Sequence, residues 1–411
     1  LRHNAGTTSE FGTITGNGSL YKNSAGDLKL HDASLWDFEL KGGGNTTISG
    51  TVSASQYLSI GKETVTLLNG ANVTAPRLTA GNTASGQPST VNIEQGATLT
   101  VTGSTDADST GNSLLLAHWG SSSSTLKLNG GTLNALNTQM LMGWDSGGRF
   151  EAVSGTANLK GIRFSAQRGN ADSFLLGTAT TGDARVNLGS GGIHGIGNND
   201  TVNLGNGTIG ALADFAINGH KAINLIGTST GTTFDTAGHT ITVNTALAGS
   251  GNLIKTGEGT LLLAGTGTDF SGNITVNGGS LAINDAGKSM LESASSVLIN
   301  SGTLDISRLN LSDSANSIQI GAGQTFTLSE NASINFGNIT ANTEYQIFNF
   351  SGGMVEGWTN LTAEDIIIGG VKLSEMGRTQ YTLGVDGYFS YNILGDRELI
   401  WNGGSASSSW T

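Results

Sequence analysis

GSGNLIKTGEGTLLLAGTGTDFSGNITVNGGSLAIN, residues 249–284, is the stretch that decides the fold. It contains short apolar runs at 253–255, 260–263, 274–276 and 281–283, and turns rich in glycine follow the runs. Strands this short cannot bury a hydrophobic face alone, so each needs a neighbour of the same shape above and below it. The stretch therefore predicts a solenoid built from short strands.

The composition of the whole chain favours strands over helices. The 411 residues include 64 Gly, 2 Pro and no Cys, and charged residues make up 12%. A glycine inside a helix costs about 1 kcal/mol relative to alanine, so this glycine content disfavours a helical protein. The hydrophobic residues, 36% of the chain, alternate with polar ones and can form a core in thin layers. The absence of Cys excludes a disulfide framework.

We predict an all-β fold, a parallel β-helix (β-solenoid). Period-2 alternation with Gly and Asn at the corners is typical of strands, and parallel strands stacked coil on coil at about 4.8 Å form such a helix. Ladders of Ile, Leu and Val would form the core, while Thr, Ser and Asn face water. An array of immunoglobulin-like domains would need strands grouped by sevens and a recurring core with a buried Trp, which the sequence lacks.

The repeat is loose before residue 210 and tightens after it. In the first 50 residues, the apolar positions Leu28, Leu30, Leu35, Phe38 and Leu40 could point inward from strands that break at 32–33. From 50 to 210 the corner glycines are unevenly spaced, which predicts variable loops between stacked strands. The long loops are expected at 80–90, 103–112 and 165–173, where a ligand site would lie if there is one.

The composition shifts near residue 340, where aromatic and charged residues become more frequent. We therefore divide the chain into a β-helical region, 1–340, and a closing region, 341–411, whose hairpins would cover the end of the stack. An uncovered stack is an open edge that invites aggregation. The end of the chain, 399–410, looks like the start of a further block. We also expect the chain to be an internal part of a longer precursor.

The stretch 249–284, called the opening stretch below because the sequence analysis starts from it, resembles the passenger-associated β-strand repeat of bacterial autotransporters, the type V secretion family. That pattern is a Gly-x-Leu-x-Lys-x-Gly-x-Gly-Thr-Leu-x-Leu-x-Gly run, an aromatic-Ser/Thr-Gly corner and a Thr-x-Val-x-x-Gly-x-Leu strand. The residues that match it are Gly251, Leu253, Lys255, Gly257, Gly259, Thr260, Leu261, Leu263, Gly265, Phe270, Ser271, Gly272, Thr275, Val276, Gly278 and Leu281. Asp269-Phe270 replaces the more usual Thr-Tyr. The motif covers under a tenth of the chain, with a weaker likeness across 50–340.

The resemblance implies a right-handed parallel β-helix exported through a C-terminal β-barrel to the surface of a Gram-negative bacterium or released from it. We expect membrane attachment only through that barrel, which this sequence does not contain. The function it favours is a non-enzymatic adhesin or surface-binding stalk, monomeric, with a host or environmental glycan or protein as partner. The alternatives are a carbohydrate-active β-helix enzyme, a lyase or hydrolase, which rests on fold analogy alone, and a purely structural spacer.

Charge and motifs exclude several other functions. The net charge is −12, and no basic patch able to neutralise phosphates is visible, so we expect no nucleic-acid partner. The apolar runs are far shorter than the roughly 20 residues that span a bilayer. The six histidines lack metal-ligand spacing, and no nucleophile motif can be identified, so we expect neither a catalytic residue, a metal nor a cofactor.

The clearest candidate site is a pair of aromatic residues. Trp119 and Trp144 each follow an alternating run at nearly the same place in successive coils, in LLLAHW and MLMGW. If exposed, they would form a flat stacking platform for sugar rings, with His118 and Asp145 assisting. If buried, they are large residues that pack a corner.

Two further sets of residues have weaker claims. Arg149, Arg163, Arg168 and Arg185 could line a cleft with Asp145, Asp172 and Asp183, although turn residues that bond backbone amides give the same pattern. The loop with Asp106 and Asp108 resembles a calcium loop, but the position of the bidentate Glu is Ala117. We expect a solvated loop there.

Overall fold

The chain folds as a parallel β-helix. The computed structural model describes residues 6–83, 86–106, 111–118, 123–165, 171–195, 199–267 and 269–394. Within this part of the chain, 31 strands belong to one hydrogen-bonded sheet, and almost all of its pairs are parallel. The alternation and the glycine corners predict this architecture, and it is confirmed. The handedness of the helix stays a prediction.

The strands are short in the regular coils and long where they run around a corner. In chain order they are Thr8–Thr15 (β1), Ser19–Lys22 (β2), Asp27–Leu40 (β3), Asn45–Ile48 (β4), Thr51–Ile60 (β5), Thr64–Leu67 (β6), Asn72–Ala75 (β7), Leu78–Ala80 (β8), Ser89–Glu94 (β9), Thr98–Val101 (β10), Leu114–Leu116 (β11), Ser124–Met142 (β12), Gly148–Phe164 (β13), Ser173–Leu176 (β14), Arg185–His194 (β15), Thr201–Leu204 (β16), Gly207–Ala211 (β17), Phe215–Asn218 (β18), Ile223–Leu225 (β19), Thr232–Asp235 (β20), Thr240–Val243 (β21), Leu247–Gly249 (β22), Leu253–Thr256 (β23), Thr260–Leu263 (β24), Asp269–Phe270 (β25), Asn273–Asn284 (β26), Ser296–Arg308 (β27), Ile318–Gly321 (β28), Thr325–Asn335 (β29), Glu344–Gln346 (β30), Phe348–Ser351 (β31), Met354–Glu356 (β32), Ile366–Ile368 (β33), Val371–Lys372 (β34), Thr379–Leu383 (β35) and Tyr388–Ile393 (β36). One α-helix, Lys288–Ser293 (α1), and the 3₁₀ turns Ser314–Asn316, Trp358–Asn360 and Leu373–Glu375 complete the described elements.

A coil has three strands, which stack on three faces. Face A contains β4, β6, β9, β14, β16 and β19, face B contains β7, β10, β17, β20 and β23, and face C contains β8, β11, β18, β21 and β24. The long strands β5, β12, β13, β15 and β26 each run through two or three faces. A single strand assignment can therefore cover a whole turn of the helix.

The core consists of columns of side chains, and each column is formed by the residues at equivalent positions of successive coils. On face C the register stacks Leu58, Leu78, Leu114, Met140, Ile162 and Ile193 directly on one another. These side chains are fully or almost fully buried and belong to one continuous apolar cluster. Because side chains alternate along a strand, the residues on either side of each inward position face outward. The outward positions are therefore the ones available for function.

Two predicted details differ from the structure. The expected break at 32–33 is a corner inside the continuous strand β3, which carries the inward residues Leu28, Leu30, Leu35, Phe38 and Leu40. In the opening stretch, 274–276 and 281–283 belong to one strand, β26, and the aromatic corner forms the short strand β25. Both differences have one cause, because pairing with the neighbouring coil continues through a corner. The corner inside β26 lies at 278–279, where two glycines have positive φ.

Lys255 occupies an inward position on face B that the alternation alone would assign to an apolar residue. It stacks between Phe234 and Val276 and is fully buried. Its ammonium donates hydrogen bonds to Thr236 Oγ1 at 3.0 Å and to the main-chain oxygens of Thr256, Gly257 and Gly278 at 2.9, 2.7 and 2.9 Å. Burial lowers the pKa of Lys255 to about 8, against the opposing charges of Asp235 and Glu258. One side chain thus ties together the corners of three coils.

An antiparallel sheet follows the last coils. It contains β30, β36 and β35, and Phe389 of β36 stacks on Phe336 of the solenoid with ring centres 4.4 Å apart. Trp358 is buried beside them and donates from Nε1 to Gly384 O at 2.9 Å. We propose that residues from 341 onward close this end of the core. The block expected at 399–410 lies outside the described residues.

Lys255→Met should destabilise the coils around the opening stretch. The substitution removes a donor from four oxygens, and a buried group left without a partner costs about 1–3 kcal/mol. We expect a lower urea midpoint and faster hydrogen exchange at the amides of 256–259 and 277–280, measured by mass spectrometry. Leu253→Met is the matched control, since it lies in the same strand, is equally buried and changes little volume. Equal exchange in both variants would show that the lysine merely fills space.

Candidate functional site

A polar pocket opens on the outward side of face C near the beginning of the solenoid. Its volume is about 140 Å³, and its lining is Glu39, Tyr57, Ser59, Arg77, Thr79, Asn82 and His118. The register brings Glu39, Ser59 and Thr79 into one outward column on β3, β5 and β8. The pocket is therefore built by four successive coils, which no short segment of the sequence could form alone.

Hydrogen bonds connect most of the lining side chains. Tyr57 donates from its hydroxyl to Glu39 Oε1 at 2.9 Å, and Lys41 Nζ lies 2.8 Å from Glu39 Oε2. On the opposite side, Asn82 donates from Nδ2 to Ser59 Oγ at 2.7 Å. Asn82 Oδ1 is 3.1 Å from His118 Nδ1. Since an amide oxygen only accepts, His118 Nδ1 is the donor in this bond.

Burial shifts the titration of three groups in the pocket. It lowers the pKa of His118 to about 4, helped by the charge of Arg77 and opposed by that of Asp145. His118 is therefore neutral at pH 7. Burial also raises the pKa of Tyr57, assisted by Glu39, and lowers the pKa of Arg77. The carboxyl group of Glu39, the ammonium of Lys41 and the guanidinium of Arg77 surround the pocket, and Asp37 and Asp145 are close enough to act on Tyr57 and His118.

The structure brings three of the four residues proposed from the sequence to the same corner. His118 lines the pocket, and Asp145 acts on it electrostatically. Gly143 N donates to Leu116 O at 3.1 Å and Asp145 N to Ala117 O at 3.0 Å, which places the turn with Trp144 beside that corner. Trp144 is half-buried. Trp119 lies outside the described residues, so the stacking platform stays a proposal.

Sequence reasoning missed the other side of the pocket, Glu39, Tyr57, Arg77 and Asn82. These residues come from earlier coils. Glu39 and Tyr57 are ordinary outward polar residues of β3 and β5, and Arg77 and Asn82 lie just before and just after β8. The usable signal was the alternation itself, because Glu39 lies one residue after the inward Phe38 and one before the inward Leu40. Finding the column would also have required the register between coils.

Among the arginines that the structure describes, the proposed cleft does not form. Arg149 lies on face A and pairs with Glu151, whereas Arg185 lies on face B and pairs with Asp235 at 2.6 Å. Arg163 lies on face C. Outward positions on three different faces cannot line one cleft. Arg168 is outside the described residues.

The loop with Asp106 and Asp108, considered above as a calcium loop, is linked by Asp106 to two later coils. Asp106 accepts from the backbone N–H of Gln139 at 2.6 Å and forms an ion pair with Lys160, and Asp108 is outside the described residues. Across the described ranges, no three His, Asp or Glu side chains are grouped so that they could hold a metal ion. In the same ranges, none of the helices has the length and apolar character needed to cross a bilayer.

Comparison with known proteins gives one partial relationship. Over 91 residues, 21% of the chain, the sequence is 41% identical to the adhesin BmaC autotransporter of Brucella suis biovar 1 (strain 1330). The matched stretch is only 2% of that protein's length. No protein-family model and no solved structure matches the chain. The chain is thus similar to part of an autotransporter adhesin, as the resemblance of 249–284 suggests, while the type of repeat stays a prediction.

Asp172 is the strongest case of a carboxyl group taken out of water in this part of the solenoid. It precedes β14, is fully buried and accepts from the backbone N–H of Gly148 at 2.7 Å. Its carboxyl packs against Gly143, which leaves no room for a side chain there. Burial, and then the charge of Asp200, raise the pKa of Asp172 to about 7, although hydrogen bonds from Gly148 and Ser165 oppose this shift.

This carboxyl should make the fold less stable as the pH rises from 4 to 7. The folded state holds a proton that the unfolded state, with the ordinary pKa of 3.8, has released, so stability is lost as pH approaches the folded pKa of about 7. The difference of roughly 3 pH units corresponds to at most about 4 kcal/mol. Asp172→Asn keeps an acceptor for Gly148 and has no proton to lose.

We therefore expect urea midpoints, measured by circular dichroism at pH 5 and pH 8, to differ less for Asp172→Asn than for the natural protein. The variant should be the more stable of the two at pH 8. Asp183→Asn is the control, because Asp183 is exposed. Parallel pH dependence of all three proteins would contradict the assignment.

Proposed function

We propose that the chain is part of a surface-exposed autotransporter passenger that acts as a non-enzymatic adhesin, monomeric, with a glycan as its ligand. The similarity to an autotransporter adhesin supports the adhesin class and exposure on the surface of a Gram-negative bacterium. The observation that carries the ligand class is the pocket on face C. A parallel β-helix is a rigid support on which such a pocket is held by the register of its coils.

The chemistry of the pocket suits a sugar. Glu39, Arg77 and Asn82 carry planar groups with two neighbouring polar atoms, which match the paired hydroxyl groups of a sugar ring. A volume of about 140 Å³ corresponds to one ring and not to a long chain. Trp144, on the turn beside His118, would offer an aromatic face for the ring or its neighbour, together with Trp119 if that side chain is exposed.

The lining favours binding over hydrolysis. A glycosidase usually places two carboxyl groups on either side of the bond that it cleaves. Among the described residues that line this pocket, Glu39 is the one carboxylate, and Tyr57 and Lys41 already contact it. The nearby Asp37 is buried and acts on Tyr57. His118 is neutral and is oriented by Asn82. The arrangement can position hydroxyl groups, and its described lining has one carboxylate where such an enzyme usually has two.

A glycan array followed by titration calorimetry tests this proposal. We expect the protein to bind a terminal sugar and Glu39→Gln to weaken that binding about 10- to 100-fold, because a hydrogen bond to a charged group contributes about 1.5–3 kcal/mol. Glu94→Gln is the matched control, since Glu94 also accepts a hydrogen bond, from Asn129 at 3.1 Å, but lies on face A. Trp144→Ala should weaken binding if its ring contacts the sugar.

Each other outcome selects an alternative. Release of a shortened glycan during the incubation, detected by chromatography, would show a carbohydrate-active enzyme. Failure to bind any glycan or host protein would favour a structural spacer. Equal binding by Glu39→Gln and the natural protein would remove the pocket as the site.

A further inference from the structure

A second open site lies at the corner where face B ends. The inward residues Ala135, Leu159, Leu188 and Ala211 stack in register there. The residues that follow them in the chain form the next column, and they line a groove of about 430 Å³ together with Ser104, Asn137, Leu159 and Ser190. The members of this column are Leu136, Lys160, Gly189 and Leu212.

The groove exists because one position in this column has no side chain. Leu136 and Leu212 are unusually exposed for leucines, at 55% and 45%. Between them, Gly189 leaves a gap, and a Cβ there would approach no atom closer than Lys160 O at 3.3 Å. Its φ is not positive, so the gap does not follow from a turn that requires glycine. A side chain there would need Lys160 O to shift by a few tenths of an ångström, and its absence leaves space between two apolar ridges.

The floor of the groove is fixed and has no excess charge. Lys160 pairs with Asp106, and the other oxygen of that carboxylate accepts from Gln139 N at 2.6 Å. Gln139 in turn donates from Nε2 to Gly191 O at 3.1 Å. The loop with Asp106 and the corner with Gly191 are therefore held to the same strand, β12.

A ladder of amides runs beside the groove on the outward side of face B. Asn158 donates to Asn134 Oδ1 at 2.9 Å, and Asn187 donates to Asn158 Oδ1 at 2.8 Å. Arg185 closes the ladder, donating to Asn187 Oδ1 at 2.7 Å and to Asp235 Oδ2 at 2.6 Å. Asn134 and Asn158 are half-exposed. An amide has four hydrogen-bonding positions, so each of these two can still bind a ligand.

The spacing of this ladder selects among extended polymers. Polar groups recur once per coil, about every 4.8 Å. A peptide strand laid along the axis would turn the same side to the ladder only every second residue, about 6.8 Å, and would fall out of step within two coils. A sugar chain can present hydroxyl groups from the ring edges of every unit, and the C–H faces of its rings are apolar and can lie against the leucines.

The charge of the groove and the amide ladder further restricts which polymers could bind. The two cations there, Lys160 and Arg185, are already paired with carboxylates. The chain as a whole has a net charge of −12. Polyanions such as nucleic acids or acidic glycans therefore find no unpaired cation among the described residues of the groove and the ladder, and they are repelled at long range.

We propose that the groove and the amide ladder bind a linear, uncharged polysaccharide that lies parallel to the solenoid axis across four coils. This site is separate from the pocket at His118, which has room for one ring. The two differ in a measurable way, because only the groove gains contacts as the ligand becomes longer.

A length series tests the proposal. The probes are neutral β-linked oligomers of glucose, mannose, xylose and N-acetylglucosamine with two, four and six units, titrated calorimetrically into the whole chain. At least one series should bind at least tenfold more tightly at four units than at two, with little gain at six. An affinity that is independent of length, or the absence of binding in every series, would overturn the proposal. So would tighter binding of a four-unit galacturonate or of an eight-residue peptide rich in Ser and Asn.

Two variants locate the site. Gly189→Leu fills the gap, and Asn158→Val interrupts the ladder. Each should remove at least nine-tenths of the gain between two and four units. Gly321→Leu and Asn224→Val are the controls, because an added Cβ at Gly321 meets no atom within 4 Å and Asn224 donates to Asn203 in an amide pair on face A. Circular dichroism checks the fold of every variant. A full gain with length in the folded Gly189→Leu protein would place the ligand elsewhere.

Discussion

The hydrogen bonds between successive coils are the constraint on which the rest of this structure depends. In the regular coils, each strand pairs in parallel with the strand one coil before and the strand one coil after, and this pairing recurs on all three faces. Because side chains alternate along a strand, this register places every inward residue on the equivalent residue of the next coil. An error of one residue would turn a whole column toward water. The stacking of the apolar columns and the register of the backbone hydrogen bonds between coils thus stabilise one another.

The same constraint explains the polar groups that are buried in the solenoid. Carbonyl groups at a corner point away from the ladder and need another donor. Lys255 supplies it in the opening stretch. In the first coils, Lys22 does the same for Gly43 O at 2.5 Å and pairs with Glu63 at 2.5 Å, both residues being buried. Burial raises the pKa of Glu63, with the hydrogen bonds from Lys22 and Thr46 opposing it. A buried ion pair adds little net stability, but removing one partner is costly, so such pairs hold the corners in one arrangement.

Alternation and glycine corners were enough to predict the fold class, the inward residues of β3 and most strands of the opening stretch. Of the long loops expected around 80–90, 103–112 and 165–173, the described residues of 103–112 belong to no named strand, whereas 80, 89–90 and 173 already belong to β8, β9 and β14. The register between coils could not be predicted, because Leu99 pairs with Leu133, 34 residues later, whereas Lys255 pairs with Val276 only 21 residues later. Without that register, Glu39, Asn82 and His118 are three unrelated polar residues. The sequence therefore indicated one side of the pocket, and the other side depends on contacts between coils.

Variable coil length is also the reason that both sites lie in the first half of the solenoid. Where coils are short and regular, as at β20, β23 and β26, each corner is a tight turn and the outward surface is an unbroken ladder. Where a coil is longer, its extra residues must leave the ladder at a corner, and they can then cover an outward column or leave a gap beside it. His118 follows β11 in one such coil, and Asp106, which fixes the floor of the groove, belongs to the same coil. The regular repeats thus supply length, and insertions into one coil shape the two surfaces, on different faces, that we propose as binding sites.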